Sequence, residues 1–483
     1  MGFNMTAISK VDLDKVFGAN VLGDSPEERA VNSRRAFVRG QTMLAEASQE
    51  ATGHRLTAAE ALHNYGFPTL LKAIEEGQAL LVRERTEPAQ TLVAHREALG
   101  YGREQLARLT KVSIEDIAKA ETPGKISSIR TLERLAIPLA IDERILGIKD
   151  QPNGADLGVR LRQLAKSKDN ASGLSPTAVA ALAESAWVIA RQQSLSEQLN
   201  SEPNLARSKF SPSDDYGFPT YQSGYRLAAE TRRLLDLEPD APIKSMRSLI
   251  SDKLDIPLVQ TKLGNHIAGA TIASGSERGV VVNIDGENQN VWVRRMTLAH
   301  ELGHLLWDPQ QRLNRLAVDR YSDLKINSSD RRDPVEIRAN AFAIAFLAPP
   351  AAVDRIVQDS VDMPSAVNKV VEFFGISKTA ATAHVGNVSL VRVATSQLST
   401  QLEPSDELRA QEDFTVDYFP IRNLPPSVVG RFSWLVAQSL DKNLISVDTA
   451  AYMLRTTTDK LNRQTVTNIL NMTGPVSSLA QGQ

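Results

Sequence analysis

The run Thr297–Trp307, "TLAHELGHLLW", decides how the rest of the chain is read. Two histidines flank a Glu-Leu-Gly triplet inside an apolar stretch with no helix breaker at either end. On a helix, positions i and i+4 share a face about 6 Å apart along the axis. His300 and His304 can therefore both present imidazoles to one zinc ion. Glu301 follows the first of them, within reach of an open fourth position, where a carboxylate can take a proton from an activated water and pass it to a leaving amine. Gly303 allows another element to approach closely, and the apolar flanks lock the helix in a core. The competing reading is an ordinary core helix that contains two histidines, because short motifs recur by chance. The β-branched run just upstream and the strongly apolar helix favour the metal site.

A catalytic zinc needs a third protein ligand. Glu336, in "DPVEIRANAFAIAFLAPP", is the best candidate: Pro334 stands just inside a helix start, and Glu336 lies in the first turn. His384 is a more distant possibility. Asp319, Asp323, Asp330 and Asp333 are alternatives with the look of a solvated loop. Glu336 could also be a first-turn acid favoured by the helix dipole alone. For a group that polarises a scissile carbonyl, His266, Tyr321, Arg331 and His384 all stay open.

"TLAHELGHLLW" followed by "VEIRANAFAIAFLAPP" resembles the ImmA/IrrE family of metallopeptidases, over about residues 225–395. The stretch "VNKVVEFFGISKTAATAHVGNV" is similar to the helix-turn-helix-like piece that follows the peptidase core in that family. The resemblance implies a zinc endopeptidase in which His300, His304 and Glu336 bind the metal and Glu301 is the general acid/base. It implies an α+β, zincin-like core, with a short mixed sheet and the HExxH helix, inside a mainly α multidomain protein. Members cut a cognate repressor, so the implied partner is a repressor with its own helix-turn-helix.

Composition narrows the setting. The chain has 483 residues, 42% of them hydrophobic, and 55 basic against 57 acidic residues leave a formal net charge of −2. The whole molecule is therefore no basic nucleic-acid binder, although a local patch is compatible with this balance. Cysteine is absent, which excludes disulfides, thiol catalysis and Cys-ligated metal, and a cytoplasmic setting fits best. No apolar run reaches a membrane-spanning length, and the first residues lack a signal-peptide pattern. Gly2 with Thr6 matches a loose myristoylation pattern, but no polybasic second signal follows.

Five regions follow from the patterning. Residues 1–85 read as short helices, with "SPEERAVNSRRAFVRGQTMLAEAS" the most periodic. Residues 86–150 carry apolar positions at helical spacing broken by short turns, with Ile117, Leu132, Leu135 and Leu139 closing a core. They resemble XRE (Cro/repressor-like) helix-turn-helix domains. Residues 151–220 form a helical linker in which Ser175–Pro176 make a cap and first turn, and 200–220 is the most linker-like stretch. The pentapeptide "YGFPT" occurs at both Tyr65–Thr69 and Tyr216–Thr220, with flanks that do not align. Residues 221–395 form the peptidase-like domain, with strands expected in "IPLVQTKL", "IAGATIAS" and "RGVVVNID" and helix from Val291 onward. Residues 396–483 are helical, in "PSVVGRFSWLVAQSL" and "SVDTAAYMLRTTTDKL".

Within the helix-turn-helix, Arg103, Ser113, Ile114 and Lys119 are the candidate DNA contacts. The first turn of its second helix, Ile114-Glu115-Asp116, would set two carboxylates against phosphates, which is unfavourable. A protein-docking or dimerisation surface is the alternative use of this module, and a homo-oligomer is compatible with it. Three functions compete: a zinc endopeptidase acting on a repressor, a transcription regulator whose peptidase-like domain is a sensor or scaffold, and an accessory protein of a toxin–antitoxin or phage-defence locus.

Overall fold

The computed structural model describes residues 8–82, 86–144, 146, 174–199, 210–211, 220–274, 277–309, 312, 317–322, 324, 333–391, 402–412 and 419–473. It is mainly helical with two small sheets. The chain divides into two compact units, Met1–Ser201 with Val416–Gln483, and Glu202–Thr415. The stretch 149–158 and most of 200–220 lie outside the described residues.

The first unit corrects the expectation of short helices over 1–85. Ser25 and Glu28 form a capping box that starts the helix Pro26–Asn32. The chain then turns into strands β1 (Ala36–Arg39) and β2 (Met43–Glu46), followed by β3 (His54–Thr57) and β4 (Ala79–Leu80). They pair antiparallel in the order β3-β1-β2-β4. The reason the pattern misleads is local: β2 is "MLAE", four good helix formers whose pairing and the burial of Leu44 override their propensity. Phe37, Leu44 and Leu56 from the sheet pack with Leu13, Phe17 and Leu70 from helices into one core.

Four helices follow, Ala89–Ala98, Arg103–Thr110, Ile114–Ala120 and Ile129–Ala136. The turn between the second and third is three residues long, with Lys111 in the left-handed region at φ 55°. Ile117, Leu132, Leu135 and Leu139 are all buried. The long helix Pro176–Gln198 begins at a Ser175 cap with Pro176 in its first turn. The C-terminal helices Arg431–Asp441, Val447–Met453 and Arg463–Thr473 complete the unit.

The second unit holds the motif helix, Val291–Trp307, whose N-cap Asn290 accepts from the Trp292 amide. It packs on β6 (Ile267–Ser274) and β7 (Glu277–Asn283). The sheet order is β5-β7-β6-β8, with β5 (Leu258–Thr261) parallel to β7 and the other pairs antiparallel. The short edge strand β8 (Ala317–Arg320) corrects the expectation of helix from Val291 onward.

Helix Pro334–Leu347 crosses the motif helix, with the Phe342 ring against Gly303: a Cβ there would come within 2.8 Å of it. The preceding helix Thr220–Leu234 approaches just as closely, since a Cβ on Gly224 would meet the Arg338 carbonyl at 2.5 Å. Trp307 Nε1 donates to Thr231 Oγ1 at 3.0 Å. Arg295, on the motif helix, is fully buried and pairs with the equally buried Glu412. Glu412 also accepts from the Met246 amide at 2.7 Å, and Arg295 Nε donates to the Gly375 carbonyl at 3.0 Å. No single helix among the described residues is long and apolar enough to cross a membrane.

Candidate metal centre

Three elements converge on one buried spot. The motif helix supplies His300 and His304, the first turn of Pro334–Leu347 supplies Glu336, and β8 supplies Asp319. One donor atom from each lies within 4.8 Å of all the others. The two Nε2 atoms are 3.0 Å apart, and Glu336 Oε2 stands 3.4 Å from each. Asp319 Oδ2 is 3.6 Å from His300 Nε2. Ligands about 2.0–2.1 Å from a tetrahedral zinc are separated by about 3.3–3.4 Å along each edge, so these spacings suit such an ion.

The hydrogen bonds leave the right atoms unused. His304 Nδ1–H donates to Asp308 Oδ2 at 2.9 Å, a tautomer that turns the Nε2 lone pair toward His300. Asp308 is in turn held by Arg338 and by Arg312, whose Nε is 3.4 Å away. Arg312 also pairs with Glu336 Oε1 at 3.3 Å, so Glu336 Oε2 alone faces the histidines. Glu301 Oε2 accepts from Thr271 Oγ1 at 2.7 Å. Glu301 Oε1, Asp319 Oδ2, Glu336 Oε2 and His300 Nδ1 are buried with no hydrogen-bond partner. Leaving such atoms unsatisfied costs roughly 1–3 kcal/mol each, and a divalent cation within the donor group would relieve Asp319 and Glu336.

The protonation equilibria point the same way. Burial opposes charge on His300, but Asp319 and Glu336 outweigh it and carry its pKa up to about 9. Burial likewise opposes charge on His304, yet Glu336 and Asp308 hold its pKa well above the usual value. Glu336 is held well below the usual carboxylate range, because His304 and His300 overcome the effect of burial. Burial, then the charge of Asp319, raises Glu301 far above it. These shifts follow from imidazoles and carboxylates packed closely out of water, and metal binding at such clusters is linked to proton release.

Residues 279–384 match the family model of the IrrE N-terminal-like domain, a peptidase family. That span contains the motif helix, β8 and the Glu336 helix. The chain has no match among curated proteins.

Within the IrrE-like span and around it, the other candidates part company. Asp319 is neither solvated nor in a loop: it is buried on a strand and belongs to the donor group. Asp333 is exposed, caps its helix by accepting from the Val335 amide and pairs with Arg312. Asp323, Asp330 and Arg331 lie outside the described residues. His384 is consumed: its Nε2–H donates to the Ala348 carbonyl at 2.8 Å and its Nδ1 accepts from the Tyr225 hydroxyl at 2.9 Å. Tyr321 donates to the Asp285 carbonyl and accepts from the Asn288 amide, so its hydroxyl is fixed in the loop. His266 is exposed on the approach to β6.

Sequence reasoning missed Asp308, Thr271 and Gly269. Asp308 carries a signal, being four residues beyond His304 and hence on the same face. Gly269 carries none, yet a Cβ there would fall 2.7 Å from Glu301 Oε1.

The candidate DNA contacts are placed as follows. Arg103 Nε pairs with Glu121 at 2.7 Å. Ser113 caps its own helix by accepting from the Asp116 amide at 3.0 Å. Ile114 and Lys119 are exposed, as are Glu115 and Asp116.

Proposed function

We propose that the protein is a zinc-dependent endopeptidase that cleaves a regulatory protein, with a transcriptional repressor as the substrate class. The observation that carries this reading is the spacing of the four donor atoms, with Glu336 Oε2 and Asp319 Oδ2 facing the two imidazoles at 3.4–3.6 Å and holding no hydrogen bond of their own. In this proposal His300, His304 and Glu336 hold the ion, and Asp319 borders it on the side of Glu301. Zinc, when bound, supplies Lewis-acid activation of a water and of the scissile carbonyl.

The chain's own groups do the rest. Glu301 Oε1 is the free oxygen of a carboxylate anchored through its other oxygen by Thr271. In its ionised form, which a cation held beside it would favour over the protonated one, it is placed to accept the proton of the attacking water and to hand it to the leaving amine. Asp308, clamped by Arg338 and Arg312, fixes the His304 ring and its tautomer. Gly269 keeps the space beside Glu301 clear of a side chain.

The helix pair Arg103–Thr110 and Ile114–Ala120 is assigned here to docking a protein partner. Arg103 is tied to Glu121, Ser113 is used in its own cap, and two exposed carboxylates open the second helix. DNA reading through Arg103, Ser113, Ile114 and Lys119 is tested by a salt-dependent mobility shift on operator DNA.

The deciding experiment is metal content per chain for the wild type, Glu336→Ala and Asp319→Asn. About one zinc per chain, lost in Glu336→Ala and kept in Asp319→Asn, supports the three-ligand site. Loss in Asp319→Asn makes Asp319 a ligand, and no zinc in the wild type after zinc is supplied sinks the proposal.

A further inference from the structure

The unit that lacks the metal centre contains a cavity of about 650 Å³, within the range of small-molecule sites. One wall is the end of helix Arg103–Thr110 and the turn after it, through Leu109, Thr110 and Lys111. The others come from the ends of helices Ile129–Ala136 and Val447–Met453 and from the side of Pro176–Gln198.

Its charge is one-sided. Lys111, Arg134 and Arg455 line it against a single carboxylate, Glu184. Lys111 and Arg134 are exposed, and neither has an acidic partner among the described residues. Glu184 Oε1 sits 3.3 Å from Arg455 Nη2, but it also accepts from Ser427 Oγ at 2.8 Å. Arg455 Nε and Nη2 are buried without a hydrogen-bond partner, as is the neighbouring Thr456 Oγ1. Buried donors of this kind are nearly always satisfied, so Arg455, which lines the cavity, has capacity for an acceptor beyond its 3.3 Å pair with Glu184.

The backbone adds a second observation. After helix Val447–Met453 the Thr456 amide donates to the Ala451 carbonyl and the Arg455 amide to the Tyr452 carbonyl. This cap normally carries glycine where Arg455 sits at φ 56°. An arginine kept in a left-handed conformation, with its guanidinium 5.7 Å from the Trp187 ring and its Nε without a hydrogen-bond partner, is a candidate for function.

We propose that this cavity binds a small organic anion, a carboxylate or phosphate on an apolar body, which pairs with Arg455 and Arg134 and rests its apolar part on Ile137 and Ala180. Because Thr110 and Lys111 form part of the wall, occupancy stiffens the turn between the two short helices. The site is independent of the reading given to the metal centre.

The test is titration calorimetry on the full chain with four probes: hexyl phosphate, hexanoate, inorganic phosphate and hexanol. Hexyl phosphate or hexanoate should bind at least about tenfold tighter than hexanol and inorganic phosphate, and whichever of the two binds names the headgroup. Arg455→Gln should weaken that binding about tenfold or more. Arg134→Gln, at an exposed position, should weaken it too, and keeps the test valid if the first variant does not fold. Bound ligand should also slow amide hydrogen exchange across Leu109–Lys111. If no probe binds, or binding is unchanged in both variants, the three cations do no more than complement helix C-termini and the proposal is overturned.

Discussion

Two buried clusters of histidine and carboxylate stand out among the described residues, and they differ in what is left over. In the first unit His54 is flanked by Glu133 on Nδ1 and by Thr449 on Nε2, 2.7 Å away. The Thr449 hydroxyl donates on to Glu60, which also accepts from the Ser446 amide at 2.9 Å. Every polar atom in that chain of contacts is spent, and it joins β3 and its following helix to the helices Ile129–Ala136 and Val447–Met453. Around His300 and His304 most groups are as deeply buried, with Glu336 partly exposed, but Glu301, Asp319 and Glu336 each keep one oxygen without a hydrogen bond. A satisfied cluster is a fastener. An unsatisfied one of similar composition is a candidate ligand site.

Substitutions can break that contrast. The largest effect belongs to Glu301→Gln, which should keep zinc but lower cleavage of the target by about 10²–10⁴-fold; wild-type turnover would remove Glu301 from the acid/base role. Next is Glu133→Ala, which leaves the buried His54 without its acid. It should destabilise the protein by about 3–5 kcal/mol in urea unfolding while zinc content stays constant. A fall in zinc instead would mean the two clusters are not separate in kind.

A pH titration sharpens the comparison further. Burial, opposed only by the Ala348 carbonyl, drops the His384 pKa from 6.5 to about 4. Between those values the unfolded chain takes up a proton that the native state refuses. Stability is therefore intact above pH 6.5 and lost as pH falls toward 4, by about 3 kcal/mol. Unfolding of metal-free protein should show this loss, and His384→Gln should flatten it. The smallest effect is expected from Asp308→Asn, which loosens the support of His304 and should weaken zinc binding by about 10–100-fold, read by competition with a chelator. An unchanged affinity would show that the His304 ring is held by packing alone.

The grouping of His300, His304 and Glu336 was legible because its signals are local: the i, i+4 histidines and the Pro334–Glu336 helix start each lie within a few residues. β5 to β7 were legible for the same reason, as β-branched runs. What escaped depends on distant pairing. β2 is spelled in helix formers, and β8 gains its identity only by pairing with β6, so Asp319 looked like part of a loop. Gly269 matters only because Glu301 folds over it. In residues 86–150, Ile117 and Leu132 announced a core, but nothing local shows that Glu121 engages both Arg96 and Arg103.

The Arg295–Glu412 contact bears on where this protein can be cut. Glu412 lies beyond residue 384, where the IrrE-like match ends, yet it neutralises a guanidinium buried in the helix that carries both histidines. A fragment ending at residue 384 would leave that guanidinium without its carboxylate, a loss of several kcal/mol. The autonomous folding unit is therefore longer than the recognisable one, and any truncated version must retain the chain through Glu412.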